Sequence, residues 1–514
     1  MTSMAGDTPL DVRLVPPALT GWGVTASGIL WHVGGSIAVT AAAITITAVA
    51  GWWTNRAHDS EGRAVLRGVG AVAVIGVGFA IAVGLRVDEA RHHPITHHYG
   101  STTSVVVTPT ESPRALGGGR MMFRGSLRFL DGSETSGRVV AFTSAGDFAE
   151  LTAGRPVRFQ ARIGRPARRD LTIAVLSASG KPTFGESAPI QRVAQHVRSG
   201  FGAAARAALP ADQAGMLPAL ILGDTAGVAG QTTQEFKTSG LTHLTAVSGA
   251  NVTIVCGTVL LAAALVGPRI AVALAAAALL AFVIVVQPSA SVLRAAVMGG
   301  ITLLAVLSHR RRQAIPVLSA SVIVLMIGAP ELAVDVGFAL SVSATAALVV
   351  IAPAWSRRLV AGGWPKPLAD AVSVAVAAQL VTAPLVAGIS GTFSVVSVVA
   401  NLAVAVVIPP ITVFGTVAAA LGPLWPFGAE MLIRFTGPEL WWLLRVARWA
   451  AAVPAASVPV PSGLLGVIVV AATGLSAVFA WRWRWVRLSA GGAAVCLLAW
   501  TMSGLSGGHD TIVG

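Results

Sequence analysis

Three polar side chains, His243, Ser248 and Asn251, stand in residues 240–257, GLTHLTAVSGANVTIVCG, which open an apolar run long enough to enter a membrane. Polar groups at that depth are costly unless they face other helices or water. The stretch is therefore read as lining a path through the membrane. A chemical alternative is an intramembrane serine hydrolase in which His243 activates Ser248. Five residues apart on one helix, the two would lie about 140° apart round the axis at about 100° per residue. They would then point away from each other, so no catalytic residue is assigned and the chain is not expected to be an enzyme.

Three further constellations carry polar groups. In Pro288-Ser289-Ala290-Ser291-Val292-Leu293-Arg294-Ala295 the arginine falls within two turns of a span's outer end. Its stem could snorkel to the interface, or its charge could be fixed at a pore mouth where it meets phosphates. In Asp335-Val336-Gly337-Phe338-Ala339-Leu340-Ser341, Gly337, Ser341 and Thr345 are spaced four apart. Small residues on one helix face let helices pack closely, so a packing seam is expected, with Asp335 at its outer end and in reach of Arg294. The last constellation is Gln379, Thr382 and Pro384, followed by Asn401 and Pro409-Pro410. A proline within a span is tolerated where neighbours or a cavity satisfy the freed backbone groups, which fits a channel and equally any polytopic bundle.

These residues must be positioned by membrane helices. The 514 residues are 54% hydrophobic and 11% charged, and the mean hydropathy is +0.75. Soluble domains carry about 25% charged residues. The net charge is +14, almost all of the positive charge being Arg, since Lys181, Lys237 and Lys366 are the only lysines. Cys256 and Cys496 fall in apolar runs and read as core residues rather than a disulfide. Residues 1–24 contain Asp7, Asp11, Pro16 and Pro17 and read as a disordered tail. Residues 25–85 hold two apolar runs, 25–53 and 68–84, each near the length of about 20 residues that spans a bilayer. Arg56, Arg63 and Arg67 place their connection in the cytoplasm, and the chain beyond residue 85 then emerges outside.

Residues 90–200 change character. Strand-like segments recur at 104–108, 121–129, 137–142, 156–163 and 171–177, separated by Gly, Pro and Ser clusters. Five short strands suit a small β-barrel of oligonucleotide-binding (OB-like) type. Residues 91–200 carry 15 Arg or Lys against 7 Asp or Glu, most densely at Arg155, Arg158, Arg162, Arg165, Arg168 and Arg169. A basic groove would attract a phosphate backbone; the alternative is a solvated arginine face. The tract Arg91 to His98 has four histidines but no Cys or carboxylate to complete a metal site, and reads as a juxtamembrane surface. No metal and no cofactor is expected.

Residues 201–240 read as an interfacial helical connector that includes MLPALILG, and 241–505 as a transmembrane domain, with 506–514 a tail. Candidate spans are 245–266, 270–287, 292–307, 314–328, 334–353, 368–389, 395–421, 463–480 and 489–502; 439–454 reads either as an amphipathic interfacial helix, which Arg445 and Arg448 favour, or as a further span, which would put Arg482, Arg484 and Arg487 inside. The fold class is thus a polytopic α-helical membrane protein of about 10–12 spans with a small extracytoplasmic β-barrel inserted after the second.

The ordered series of motifs resembles the ComEC/Rec2 competence family. His243-Leu244-Thr245-Ala246-Val247-Ser248-Gly249-Ala250-Asn251-Val252 is similar to that family's H-L-x-A-[IV]-S-G-x-H-[VI], with Asn251 in place of the second histidine. Ser291, Arg294, Ala295 and Met298 resemble its S-x-x-R-A-x-x-M element, and residues 335–341 its D-x-G-F-x-L-S element. Gln379, Thr382 and Pro384 resemble its Q-x-x-T-x-P. The resemblance implies a multi-pass protein of the bacterial plasma membrane with its OB-like domain outside. It implies a channel importing single-stranded DNA, lined by His243, Ser248, Asn251, Ser291, Arg294, Gln379, Thr382 and Asn401. A small-molecule transporter is the duller alternative. Longer family members carry a C-terminal metallo-β-lactamase-like domain with an H-x-D-x-D-H motif; here His509-Asp510 stands alone. A nuclease is therefore expected to be a separate protein. So are an outer DNA receptor and a cytoplasmic motor or DNA-binding protein, because no G-x-x-x-x-G-K-[ST] loop is present. Beyond single-stranded DNA and membrane lipid, a second copy of the chain is an open possibility as partner.

Overall fold

Alternating apolar and polar residues between 102 and 184 build a β-barrel, and apolar runs elsewhere build helices. The computed structural model describes residues 11–31, 60–245, 247, 249–287, 289–307 and 313–480. Ser248, the first apolar run beyond Trp31, the Arg310–Arg312 cluster, the last expected span 489–502 and the tail 506–514 lie outside the described residues. In chain order the elements begin α1 (Val15–Trp31), α2 (Ser60–Arg91), β1 (Thr102–Pro109), β2 (Arg114–Gly117), β3 (Arg120–Leu130), β4 (Ser133–Ser144), β5 (Val157–Gly164) and β6 (Ala174–Phe184). Helices α3 (Pro189–Ala208), α4 (Ala211–Leu222), α5 (Gly230–Ser239), α6 (Gly249–Ala262), α7 (Pro268–Val286), α8 (Ala290–Leu307) and α9 (Ala314–Gly328) come next. Then come α10 (Val336–Ala361), α11 (Lys366–Ser390), β7 (Thr392–Ser394), α12 (Ser397–Ala405), α13 (Ile408–Leu421), α14 (Pro426–Phe435), α15 (Gly437–Ala452), β8 (Ser457–Pro459) and α16 (Leu464–Ala480).

The chain divides into two units, one of Met1–Ala229, His243–Val342 and Ile408–Leu440, the other of Gly230–Thr242, Ser343–Val407 and Trp441–Gly514. The barrel belongs to the first. Strand β1 pairs with β3 and β5, β3 with β4, β5 with β6, all antiparallel, and a parallel β4–β6 pair closes the ring. Alternate residues of β5 (Val157, Phe159, Ala161, Ile163) point inward, as period-two burial requires. They meet Phe123, Leu127, Val139 and Leu176 in one core, where Phe148 stands edge-on to Phe159 at 5.4 Å. The five expected strands are these five. The short β2 was not expected. It has no apolar alternation and forms because Gly117, Gly118 and Gly119 all take positive φ and turn the chain back onto β3.

Other differences have local causes. Part of the expected disordered tail is helix α1, because Pro16 and Pro17 fall in its first turn, where proline is tolerated. His93 is buried rather than on a surface tract; its Nδ1 accepts from Ile95 N at 3.2 Å and caps the turn Pro94–His98. Within α4, Met216, Leu217, Ala219 and Ile221 are buried, and Ile221 and Leu217 lie where a side chain on Gly415 of α13 would be. The MLPALILG segment is thus internal to the first unit, not interfacial. The expected span 245–266 starts later, as the helix proper begins at Gly249. The expected span 395–421 is two helices, α12 and α13, with Pro409 and Pro410 in the first turn of the second.

Four helices among the described residues are long and apolar enough to cross a membrane: Gly68–His98, Pro268–Val286, Val336–Ala361 and Lys366–Ser390. A fifth is gained if Ser397–Ala405 and Ile408–Leu421 count as one broken span, and four shorter apolar helices accompany them. Leu280, Ile327, Val350 and Ile389 are exposed on such helices, where only a bilayer is a good solvent for them. In the second unit α11 packs on α16, and β7 pairs antiparallel with β8. Trp442 Nε1 donates to Ala403 O of α12 at 2.8 Å.

Phe123 is fully buried in the barrel. Phe123→Ala is expected to destabilise it by about 3–5 kcal/mol, seen as faster limited proteolysis within residues 102–184 of the full chain, with the membrane helices still protected.

Candidate functional site

Ser291, Arg294 and Met298 fall at i, i+3 and i+7 on α8, so they share a face. That face meets the first turns of α10. Arg294 Nε donates to Ser341 Oγ at 2.8 Å, and Ser291 Oγ donates to the same hydroxyl at 3.3 Å. Arg294 Nη1 lies 3.1 Å from Met298 Sδ, one turn along its own helix. A Cβ on Gly249, at the start of α6, would lie 3.1 Å from Arg294 Nη2; the glycine makes room for the guanidinium. Three motif segments, 240–257, 288–298 and 335–341, thus converge on one cation.

Arg294 is 6% exposed. It does not snorkel. A buried charge is expensive unless paired or hydrogen-bonded, and no carboxylate reaches this one among the described residues. The expected pair with Asp335 is not made. Asp335 precedes α10, where its Oδ1 accepts from Phe338 N at 2.8 Å as an N-cap. The free amides of a helix start are close and in sequence register, so they take the carboxylate. The expected packing seam is also absent at Gly337, whose nearest neighbour is Asp335 Oδ1, not another helix. Ser341 of that seam is the hydroxyl partner of Arg294. The start of α10 is held instead by Phe338, fully buried and edge-on to Trp22 at 5.3 Å, and by Trp22 Nε1 donating to Ala333 O at 2.9 Å.

Asn251 is buried near the start of α6, and its Nδ2 donates to Leu220 O of α4 at 3.0 Å. It braces the helix. His243 is exposed on the 3-10 turn Thr242–Thr245, ahead of α6. The one-helix geometry assumed for His243 and Ser248 therefore does not apply. Sequence reading passed over Arg198. It lies on the buried stripe Ala194, Arg198, Phe201, Ala205 of α3 and donates Nη1 to Leu222 O and Val285 O, both at 3.0 Å. Burial lowers its pKa and Asp224, 3.8 Å away, pulls it back up. A charge at i+4 within an apolar helical stripe was the readable signal.

In the second unit, Ser397 Oγ donates to Gln379 Oε1 at 2.9 Å, and Asn401 Nδ2 donates to Ser397 O at 2.8 Å. Gly240, at φ 75°, lies against Ser397, where a Cβ would come within 2.6 Å. Thr382 turns back to Ala378 O at 2.8 Å and Thr345 lies further along α10.

The six arginines of the barrel are dispersed. Arg158 and Arg162 alternate outward along β5 and are exposed. Arg168 is exposed after β5, and Arg165 lies over the Tyr99 ring at 5.7 Å. Arg155 donates to Gly185 O at 3.1 Å and stacks on Phe184, and Arg169 donates to Leu30 O of α1 at 2.8 Å. Lys181 on β6 and Arg120 and Arg124 on β3 add basic groups to the outer surface.

The model of the competence protein family matches residues 220–485, just over half of the chain, which contain every motif segment of both polar clusters. The chain belongs to this ComEC/Rec2-type family. Membership and the long apolar helices make it a membrane protein with a role in competence, the uptake of DNA. No curated protein and no solved structure matches it.

Arg294→Met and Ser341→Ala, singly and together, are expected to be non-additive in the denaturant midpoint of the detergent-solubilised chain. The coupling should be about 0.5–3 kcal/mol; strictly additive effects would show that the hydroxyl does not hold the guanidinium.

Proposed function

We propose that the protein imports single-stranded DNA across the bacterial plasma membrane during natural transformation, with Arg294 a fixed charge on the passage and the barrel on the outer side. The observation that carries this is the convergence of three motif segments on a buried guanidinium bonded to a hydroxyl, that of Ser341, rather than to a carboxylate. A hydroxyl orients the cation without neutralising it. Its remaining N–H groups suit a phosphodiester, the anion common to every nucleotide. Neutral polar groups such as Gln379, Ser397 and Asn401 suit a passage that must bind weakly enough to release.

The barrel supports the same reading. Its ring order β1-β3-β4-β6-β5 with one parallel closure supports reading it as a five-stranded Greek-key barrel of the OB-like kind that binds oligonucleotides. Arg158, Arg162, Lys181 and Arg120 give its surface a charge that attracts a phosphate backbone. An outer receptor, a separate nuclease and a cytoplasmic motor or DNA-binding protein complete the reading as partners. No catalytic role is assigned to the chain.

The test is DNase-protected uptake of labelled DNA in wild type, in a deletion, and in the deletion complemented with wild type or Arg294→Gln. Uptake should vanish in the deletion and return with the wild-type gene. With Arg294→Gln it should fall by roughly tenfold to a hundredfold, the worth of a charge-assisted hydrogen bond to phosphate. Unchanged uptake in the deletion, in a strain that takes up DNA, would sink the import function.

A further inference from the structure

Two polar contacts tie the barrel to the approaches of the helices that build the Arg294 site. In the loop between β1 and β2, Ser112 Oγ donates to Gln287 Oε1 at 2.9 Å. Gln287 ends α7 and lies four residues ahead of Ser291. On β4, the outward Arg138 pairs with Glu331. Glu331 lies in the turn Pro330–Val334, directly ahead of Asp335, the cap of α10.

The Gln287 end of this arrangement is built, not incidental. Its backbone stands at φ 75° and ψ 145°, a region that side-chain-bearing residues avoid and that persists only where the surroundings impose it. Gln287 N donates to Val283 O at 3.0 Å. Arg198 Nη1 takes the neighbouring carbonyls of Val285 at 3.0 Å and Val286 at 3.4 Å. These bonds aim the Gln287 side chain at the barrel loop. Between α8 and α10 themselves, the Ser341 hydroxyl makes a polar link. A closed barrel is stiff, so a barrel fixed to the approach of each helix sets their spacing where the hydroxyl must reach the guanidinium.

We propose that Ser112–Gln287 and Arg138–Glu331 are paired struts through which the barrel holds α8 and α10 in register at Arg294, with Gln287 and Glu331 as positioning residues. Its transport readout rests on the import reading above. The struts hold during transport rather than open.

The test uses the full chain with Cys256→Ser and Cys496→Ser. Ser112→Cys with Gln287→Cys removes one strut, and a short bis-thiosulfonate linker, reversible by reductant, restores it covalently. Uptake should fall about fivefold without the linker, the factor carried by one well-formed polar contact. It should return to within about twofold when linked, and fall again on reduction. Arg138→Glu should lower maximal uptake by a similar factor, leaving the half-saturating DNA concentration unchanged, and Arg138→Glu with Glu331→Arg should restore it. Loss of uptake on linking, no effect of Arg138→Glu, or no rescue by the swap would each overturn the proposal. If the parent imports no DNA, the import reading fails and the struts are judged by linking rate alone. Arg138→Glu should slow linking at 112–287 in isolated membranes, and an unchanged rate would overturn them.

Discussion

A guanidinium removed from water needs its N–H groups oriented and its charge stabilised, and much around the site serves that need at Arg294. The hydroxyl that meets it belongs to Ser341, two turns into α10, so α10 has to begin in one place and at one angle. Asp335 fixes where it begins by capping the Phe338 amide. Phe338 and Trp22 fix its seat, and Trp22 is tied in turn to the carbonyl of Ala333. On the other side Gly249 leaves Nη2 its room, since a Cβ there would lie only 3.1 Å from it. Asn251, two residues on, fastens α6 to α4 through Leu220. The charge is local, but its geometry rests on four helices and a turn.

The barrel has a core of its own, drawn from Ile95 to Leu176, and lies outside the residues matched by the family model. Its alternating strands would close without help from the helices. Among the described residues Ser112, Arg138 and Arg169 make polar contacts to Gln287, Glu331 and Leu30, and Ala90 of α2 packs against the barrel core. Polar contacts of this kind are directional, so they specify register more than they add stability. That division leaves Arg158 and Arg162 on the outer face of β5, where long-range attraction of an anionic chain does not compete with packing.

The elements themselves were legible wherever a pattern repeats within a few residues. Period-two alternation located five strands, and apolar length located the long helices. Proline is ambiguous without context: Pro16–Pro17 read as part of a disordered tail and Pro409–Pro410 as lying within one span, but in a first turn they begin helices. MLPALILG was misread because an apolar segment says that it is buried without saying against what, and here the answer, Gly415, is almost 200 residues away. The site was half legible. Ser291 and Arg294 stood out as polar groups in an apolar run, yet their partner was sought at Asp335, the opposite charge, and found at Ser341. Charge matching is a weak guide when the carboxylate has a helix start within reach of its own side chain.

That substitution of a hydroxyl for a carboxylate decides what kind of site this is. An aspartate at the position of Ser341 would bind Arg294 in a close ion pair, and in a low-dielectric setting the pair would be difficult to separate and nearly blind to a passing anion. A serine satisfies one N–H, orients the plane, and leaves the full positive charge to act on its surroundings. The cost is a buried cation that the protein must hold in place by geometry alone, which accounts for the number of unrelated segments that converge on it. The second unit resolves its own polar cluster differently: Gln379, Ser397 and Asn401 satisfy one another without any formal charge. On the import reading, the first unit presents an anionic polymer with one oriented charge. A row of arginines would retain such a polymer; a single one, held by a serine hydroxyl, can attract it and still let it go.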